Sequence, residues 1–541
     1  MKETTKNISS GLVIIFLGIL FAIILFFMHE QKNKNDESQN IIKASMNDDF
    51  LIAISPHHLV AKSLIEKLFS QIRDDNVEEV VIISPNHFNQ GRGNIQSGLY
   101  LKSKLTVDQN WIKEMDRRRV LSVENESFPR EHGINNLLPY VEENFPNAKI
   151  IPIIISETSS EDQVDNLVNA LNLFSNKKAR IILSADFSHY LTNPGAQFHN
   201  IHSIKTLYNL DIDAAHRVDI DCQKGLKVIM KIAKMNDFNF SLVDSSNAAI
   251  LGNNNFTVEP TSYITGTYER NNLSSELSSL SISFFGGMST NKFTRNDSSL
   301  NFELSDAERL FLGNDNIITS GSVDLFANKS ILKGLNGRGI NALNKEDSIT
   351  DQKNDIRYSI LRYDQSDKED LSKTLEEIKK AKNVSQIVAI YINWQIDDSF
   401  RAAESRTVLA HEFIEAGADV VIGNYPLRID KIEKYGEKYI FYSLGNFFDN
   451  NTLIKNENVS LSIGMNYDKL SGRIKYYLIP VTYESNHKEE VIQGSKLRDI
   501  LDFMATNAVV QTFPHTGSTK ATFKKSAEKL SDSPPFISFC S

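Results

Sequence analysis

Three apolar runs in this chain end alike. Residues 51–55 (LIAIS) lead into Pro56, His57 and His58, residues 80–84 (VVIIS) into Pro85, Asn86 and His87, and residues 181–184 (IILS) into a polar turn holding Asp186, Ser188 and His189. Short runs without polar alternation predict strands covered on both faces. The loops after such strands are where a rigid sheet presents reactive groups. Residues 61–72 follow the first run with helical spacing at Leu64, Ile65, Leu68 and Ile72; residues 149–155 (KIIPIII) predict another buried strand and 162–174 another helix. This alternation predicts β-loop-α units over residues 50–270, with a largely parallel sheet and helices on both faces.

A serine-rich connector at 271–280 precedes a second α/β domain, assigned to 281–500. Its clearest stretch is a strand at 387–394 (IVAIYINW), a helix at 403–416, and then GADVVIGNYPLRIDKIEKYGEKYIFYSLGNFF to Phe448. A helix is expected over 490–508 from Ile492, Leu497, Ile500, Leu501 and Met504. The tail, 501–541, carries Pro514, Gly517, Pro534 and Pro535 and is expected to be poorly ordered toward its end.

The pattern is different at the start. Residues 12–28 (LVIIFLGILFAIILFFM) are apolar without a charge, at the short end of the roughly 17–25 residues that span a bilayer. Lys2 and Lys6 precede the run, which orients the start toward the cytoplasm and the bulk outward. No small-x-small cleavage site follows, because the next residues are His29, Glu30, Gln31 and Lys32. Residues 1–29 are therefore expected to be a single-pass membrane anchor, with a polar linker at 30–49 and an extracytoplasmic body.

Composition narrows the function. A chain of 541 residues is too long for one core and implies two or three domains. Its formal net charge of -9 argues against a general nucleic-acid binder. The two cysteines, Cys222 and Cys540, stand in unlike contexts, which excludes a disulfide framework and leaves Cys222 as core, ligand or reactive thiol.

His57, His87 and His189 each stand just past a core strand, a placement that favours their convergence. Glu131 and His132 precede the helical spacing Ile134, Leu137, Leu138, where the pair could act as ligand, base or orienting group. His58, His199, His202 and His216 lack such placement and are read as ordinary hydrogen-bonded or solvated histidines. Cys222 is the second residue of DCQKGLKVIMKIAK, which reads as the opening of a helix, and a helix start would depress a thiol pKa.

The segments SPHH, SPNHF, EHGINNLLPY, SADFSHY and DCQKG, in this order and closing with SYITGTYE at 262–269, resemble the Memo-like family of the AmmeMemoRadiSam system protein B type. The resemblance implies a fold similar to class III extradiol dioxygenases and a metal held by two histidines and a cysteine, here His57, His87 and Cys222. It further places His189, Asp186, Glu131 and His132 around the metal as candidates for catalysis. Imidazole and thiolate suit one transition metal ion, Fe, Cu or Zn, and three protein ligands leave a position open. This sequence departs from the family where His58, Leu59, Val60 and Ala61 follow the first histidine.

GADVVIG, SLGNFFD and SISFFGG at 281–287 resemble the CapA family of poly-γ-glutamate capsule proteins, which has a calcineurin-like metallophosphatase fold. That family's pattern would put an aspartate at Gly287, an Asn-His pair near Asn344 and Lys345, and histidines at Asn393, Asn424, Tyr425 and Leu427. The carboxylate and imidazoles are absent from these positions, so no dinuclear centre is expected, and the domain is expected to bind or scaffold.

The fold class expected is α/β throughout: an amino-terminal transmembrane helix, a Memo-like domain and a CapA-like domain. The expected function is a membrane-anchored protein with a mononuclear His/Cys metal site performing redox or hydrolytic chemistry on a small molecule. The alternative is a non-catalytic cell-envelope binding protein or capsule biosynthesis factor, with an anionic envelope polymer as partner and no nucleic acid.

Overall fold

Strands without a polar face must lie inside a sheet covered on both sides, and in the computed structural model of this chain they do. The structure describes residues 50–189, 191–252, 260–270, 277–289, 314, 316–320, 340–343, 348–365, 370–394, 400–424, 429–449, 459–483, 489–491 and 538–540. The apolar run at 12–28 and the linker at 30–49 lie outside them. Among the described residues, no helix is long and apolar enough to cross a membrane.

In the first domain β1 (Phe50–Ser55), β2 (Glu79–Pro85), β3 (Ile95–Ser97), β4 (Ser122–Val123), β5 (Lys149–Ile155), β6 (Ala179–Ser184), β7 (Asn239–Asn247) and β8 (Ser262–Glu269) form one sheet in the order β4-β3-β5-β2-β6-β1-β8-β7. The inner strands β5, β2, β6 and β1 are parallel, which is where the expected parallel sheet is found; β3, β8 and β7 join antiparallel. β6 pairs with both β1 and β2, with Ser184 opposite Ser55 and Leu183 opposite Ile83. The carboxyl ends of these three strands therefore lie side by side.

The helices are α1 (Lys62–Ile72), α2 (Gln109–Arg117), α3 (His132–Asn135), α4 (Leu138–Asn144), α5 (Glu161–Asn172), α6 (Asn193–Tyr208), α7 (Gln223–Met235) and α8 (Ala248–Leu251). α1 buries Leu64, Ile65, Leu68, Phe69 and Ile72, a stripe that stabilises it by roughly 1.5–3 kcal/mol per side chain. It begins at Lys62 because residues 59–61 form a 3-10 turn. A capping box between Ser160 and Gln163 starts α5 one residue earlier than the apolar pattern alone suggests.

α6 breaks the usual amphipathic rule. Its buried residues include His199, His202 and Lys205 as well as Phe198 and Leu207, because it is covered on two sides. One flank packs on β7 and β8, where the Tyr268 hydroxyl donates to Leu207 O at 2.9 Å. The other meets the second domain.

That domain is a sandwich of two sheets. β9 (Ser279–Phe284), β11 (Asn316–Ser320), β12 (Ile340–Leu343), β20 (Val459–Asp468), β21 (Arg473–Tyr483), β22 (Glu489–Val491) and β23 (Ser538–Cys540) make one. β13 (Ile349–Lys353), β14 (Ile356–Asp364), β15 (Ile387–Asn393), β16 (Val420–Gly423), β17 (Ile432–Tyr435) and β18 (Lys438–Phe441) make the other, while β10 (Gly287–Ser289) pairs with β19 (Asn446–Asp449). Ile282, Phe284, Tyr358, Ile360, Tyr391 and Tyr476 share the core between the sheets. α9 (Leu371–Val384) and α10 (Phe400–Ala416) cover the outer face of the β13–β18 sheet through Ile378, Ala410 and Phe413. The helix expected from residue 490 meets a strand at Glu489–Val491, and its remainder lies outside the described residues. Cys540, expected in a loose tail, sits in β23 paired with β21.

α6 seats Phe198 against Tyr477 of β21, ring centroids 5.4 Å apart, and against the backbone of Gly464 in β20. Just beyond α6, Asn209 and Leu277 exchange two hydrogen bonds, of 3.1 and 2.9 Å. The two domains are therefore joined by packing as well as by the chain.

Candidate metal centre

The sheet register sets the site. His57 follows β1, His87 follows β2, and Asp186 follows β6, so three neighbouring strand ends deliver them to one place. The rings of His57 and His87 are 4.8 Å apart, those of His57 and His132 5.1 Å, and those of His87 and His132 4.0 Å. Two groups of potential ligands overlap at His57: His57 with His87 and His132, and His57 with Asp186 and Asp221.

Hydrogen bonds fix which nitrogen of each ring faces inward. The Ser184 hydroxyl donates its single proton to Gly133 O at 2.5 Å, so it can only accept from His57 Nδ1, 3.2 Å away. His57 then carries its proton on Nδ1 and turns an unprotonated Nε2 toward the cluster. The carboxylate of Glu131 fixes the ring of His87 through the corresponding nitrogen. Its Oε1 receives His87 Nδ1 at 2.6 Å and Gly133 N at 3.0 Å, and its Oε2 receives the His87 backbone N–H at 3.2 Å. Glu131 thus orients one imidazole while capping α3, a single carboxylate serving both tasks.

The acidic half is equally fixed. Asp186 Oδ1 accepts from His57 N, and the 186 and 221 segments are tied by Asp186 N to Asp221 Oδ1 (3.1 Å) and Asp221 N to Asp186 O (3.0 Å). An antiparallel bridge between Phe187 and Ile220 continues the tie. Asp221 Oδ2 then stands 3.5 Å from His57 Nε2 and 3.6 Å from His87 Nε2, while Asp186 Oδ2 stands 3.5 Å from His57 Nε2. These spacings are long for direct hydrogen bonds. They match the edges of a coordination polyhedron, since atoms about 2.1 Å from a tetrahedral ion lie about 3.4 Å from one another.

Burial and the neighbouring charges set the electrostatics of the cluster. Burial, and then the neighbouring His87, hold the His57 pKa well below its ordinary value, so His57 is neutral. At His87 burial opposes the charged form, but hydrogen bonds to Asp221 and Glu131 outweigh it and push the pKa up to about 9. Burial raises Asp186, which the Asp221 charge raises further, and burial raises Asp221 as well. Burial and then His87 lower His132, which is partly exposed and stands edge-on to Phe88.

The remaining expected residues are placed as follows. His189 acts on His57 and on Asp221 through its charge and stands outside the two close groups. Cys222 is fully buried at the N-cap of α7, in the hydrophobic core beside Gly225, and is in neither close group. Burial raises its thiol pKa well above the ordinary value, the reverse of the depression expected from the helix start. The adjacent Asp221 is the residue of DCQKG that faces the imidazoles, and the sequence reading did not single it out. Ser184 was likewise passed over. His58, read as ordinary, has Nδ1 3.1 Å from the Tyr263 hydroxyl and 3.9 Å from Asp186 Oδ2.

In the second domain, Asn393 and Asn424 lie at the carboxyl ends of β15 and β16, and Gly287 begins β10; Asn344, Lys345, Tyr425 and Leu427 are outside the described residues. Asn393 Nδ2 donates to Asp364 Oδ2 at 3.0 Å. Among the described residues, no group of three or more potential metal ligands forms in this domain.

Comparison with known proteins assigns both halves. Residues 28–259 match the family described as Memo-like protein, and residues 323–451 match bacterial capsule synthesis protein PGA_cap. The chain is 25% identical over 181 residues to a MEMO1 family protein of Nitrosopumilus maritimus, covering 32% of this chain and 66% of that protein. It is 36% identical over 70 residues to the PGA biosynthesis protein CapA of Bacillus subtilis, covering 13% of this chain and 18% of that protein. Among solved structures, the uncharacterized protein JW3007 from Escherichia coli K12 aligns over 40% of this chain and 99% of its own at 8% identity and a TM-score of 0.30, too low to carry an argument. The chain carries a Memo-like domain followed by a PGA_cap domain.

Proposed function

We propose that the Memo-like domain holds one transition metal ion on His57, His87 and Asp221, with Asp186 as a further oxygen donor. The observation that carries this reading is Asp221 Oδ2 standing 3.5 Å from His57 Nε2 and 3.6 Å from His87 Nε2. Two imidazoles and a carboxylate suit Fe, Cu or Zn. Such an ion supplies a Lewis-acid position at which water, dioxygen or a small substrate binds. Around it the protein orients and moves protons. Glu131 and Ser184 hold the two rings, and His132 and His58 are the partly exposed imidazoles through which a proton reaches solvent. The reaction class is redox or hydrolytic chemistry on a small molecule.

The PGA_cap domain, in this reading, acts by binding, because asparagines stand where its family's pattern calls for histidines. Residues 12–28 anchor the whole in the membrane with the body outside, on the strength of their uninterrupted apolar run.

Metal content of the purified full chain tests the ligand set. Roughly one equivalent is expected in the wild type and in Cys222→Ala, and little in His87→Ala or Asp221→Ala. Full retention in His87→Ala would refute the centre; loss in Cys222→Ala with retention in Asp221→Ala would return the third position to the thiol.

A further inference from the structure

One short segment reaches both the second domain and the histidine cluster. Residues 217–221 run from the end of the 3-10 turn Ala214–Arg217 to Cys222, the N-cap of α7. Val218 and Ile220 are buried in the apolar core of the first domain, and Ile220 bridges Phe187. The alternate, polar residues take other partners. Arg217 Nη1 donates to Asn314 O of the second domain at 3.3 Å, Asp219 Oδ2 accepts from His199 Nδ1 at 2.9 Å, and Asp221 faces His57 and His87.

The contact of Asp219 with His199 is made inside the protein, at residues 6% and 1% exposed. A carboxylate so placed needs a donor, and the imidazole supplies it. His199 belongs to α6, and the residue before it, Phe198, is the one seated on Tyr477 of β21 and against Gly464 of β20. The second domain therefore acts on the segment twice, directly at Arg217 and through Phe198 and His199 at Asp219. His199 and Asp219 are in neither close group of potential ligands, but Asp221, two residues on, is. Ligand distances to an ion hold within about 0.2 Å, so a displacement that an apolar core absorbs is enough to take a carboxylate out of range.

We propose that the second domain sets the metal affinity of the first, by fixing through Arg217 and the His199–Asp219 pair the segment that carries the Asp221 carboxylate. The proposal rests on the ligand set given above, in which Asp221 is the third donor. His199 is a positioning residue, acting on the ion only through Asp219 and Asp221. The PGA_cap domain, with no group of potential metal ligands among its described residues, thereby has a task that needs no site of its own.

Competition for Zn²⁺ between the full chain and a chromogenic chelator tests it. His199→Ala should weaken Zn²⁺ binding about 10–100-fold, the usual effect of losing an outer partner of a ligand. His199→Asn, whose amide N–H stands close to where Nδ1 stood, should bring most of the affinity back. Tyr477→Ala, confined to the second domain, and Arg217→Met should each weaken binding about 2–30-fold. Arg217 is only half-buried, so its variant serves where Tyr477→Ala does not fold. Hydrogen exchange at the Asp221 amide, which donates to Asp186 O at 3.0 Å, reads the same segment without metal, and His199→Ala, Tyr477→Ala and Arg217→Met should all speed it. The proposal is overturned if Tyr477→Ala and Arg217→Met both bind Zn²⁺ like wild type, or if His199→Asn binds as weakly as His199→Ala, which would make the bulk of the ring and not its hydrogen bond the cause. A wild-type chain that takes up no metal would instead remove the ligand set, and exchange then decides: unchanged exchange at Asp221 in these variants overturns the coupling, and faster exchange upholds it.

Discussion

The proton on Ser184 settles the state of His57. Because that hydroxyl is spent on Gly133 O, His57 must donate from Nδ1, and a small side chain in β6 decides which nitrogen a ligand meets. Glu131 has the same relation to His87, with three hydrogen bonds converging on its two oxygens. Glu131→Gln keeps the shape but turns an amide N–H toward at least one of those donors. Metal affinity measured by chelator competition should fall by about 10–100-fold, and unchanged affinity would show that Glu131 does not orient the ring. A second residue makes the stability depend on pH. Glu79, buried at the start of β2 and beside Asp108, has its pKa raised by that burial, and then by Asp108, from the ordinary 4.5 to about 7. A raised folded pKa means the folded state holds the proton more tightly, so this contribution is full below about pH 4.5 and is lost as pH rises through about 7. Glu79→Gln removes the titration. The stability of the variant relative to wild type should therefore grow by on the order of 2–3 kcal/mol between about pH 4.5 and about pH 8, measured by denaturant unfolding. A constant difference across that range would contradict the assignment.

At the scale of elements, the strand ends were the legible part. LIAIS, VVIIS and IILS announce buried strands by composition alone, and a parallel sheet brings their carboxyl ends to one edge, which puts His57 beside His87; the third imidazole expected there, His189, stands outside the two close groups, and Asp186 of the same turn is the residue that joins His57. What the pattern could not convey is the direction of side chains in the segment before α7. Asp221 and Cys222 are neighbours in sequence, and the residue type more familiar as a metal ligand points into the core while the commonplace aspartate faces the imidazoles. Only the Phe187–Ile220 bridge and the paired bonds between residues 186 and 221 fix that direction, and both are contacts across more than thirty positions of chain. α6 was hidden for a different reason. A helix with buried His199, His202 and Lys205 shows no apolar stripe, so periodicity could not reveal that it has two covered flanks.

At the scale of the molecule, the contact between Phe198 of α6 and Gly464 of β20 ties the halves together. A Cβ at position 464 would lie 2.8 Å from the Phe198 ring, so the second domain has a glycine where the first needs room. Gly464→Leu should cost about 1–3 kcal/mol by overpacking, and less in a Phe198→Ala background, where the ring is gone. Thermal unfolding of the single and double variants measures the difference; strictly additive costs would mean that the two positions do not touch. α6 has a wider meaning for how the chain is divided. Residue 270 ends a unit of sequence, yet the inventory of surfaces does not balance there: a polypeptide severed after Arg270 keeps every imidazole of the histidine cluster while Phe198 and Lys205 lose their roof. For this chain, the piece that keeps both of those side chains covered is the pair.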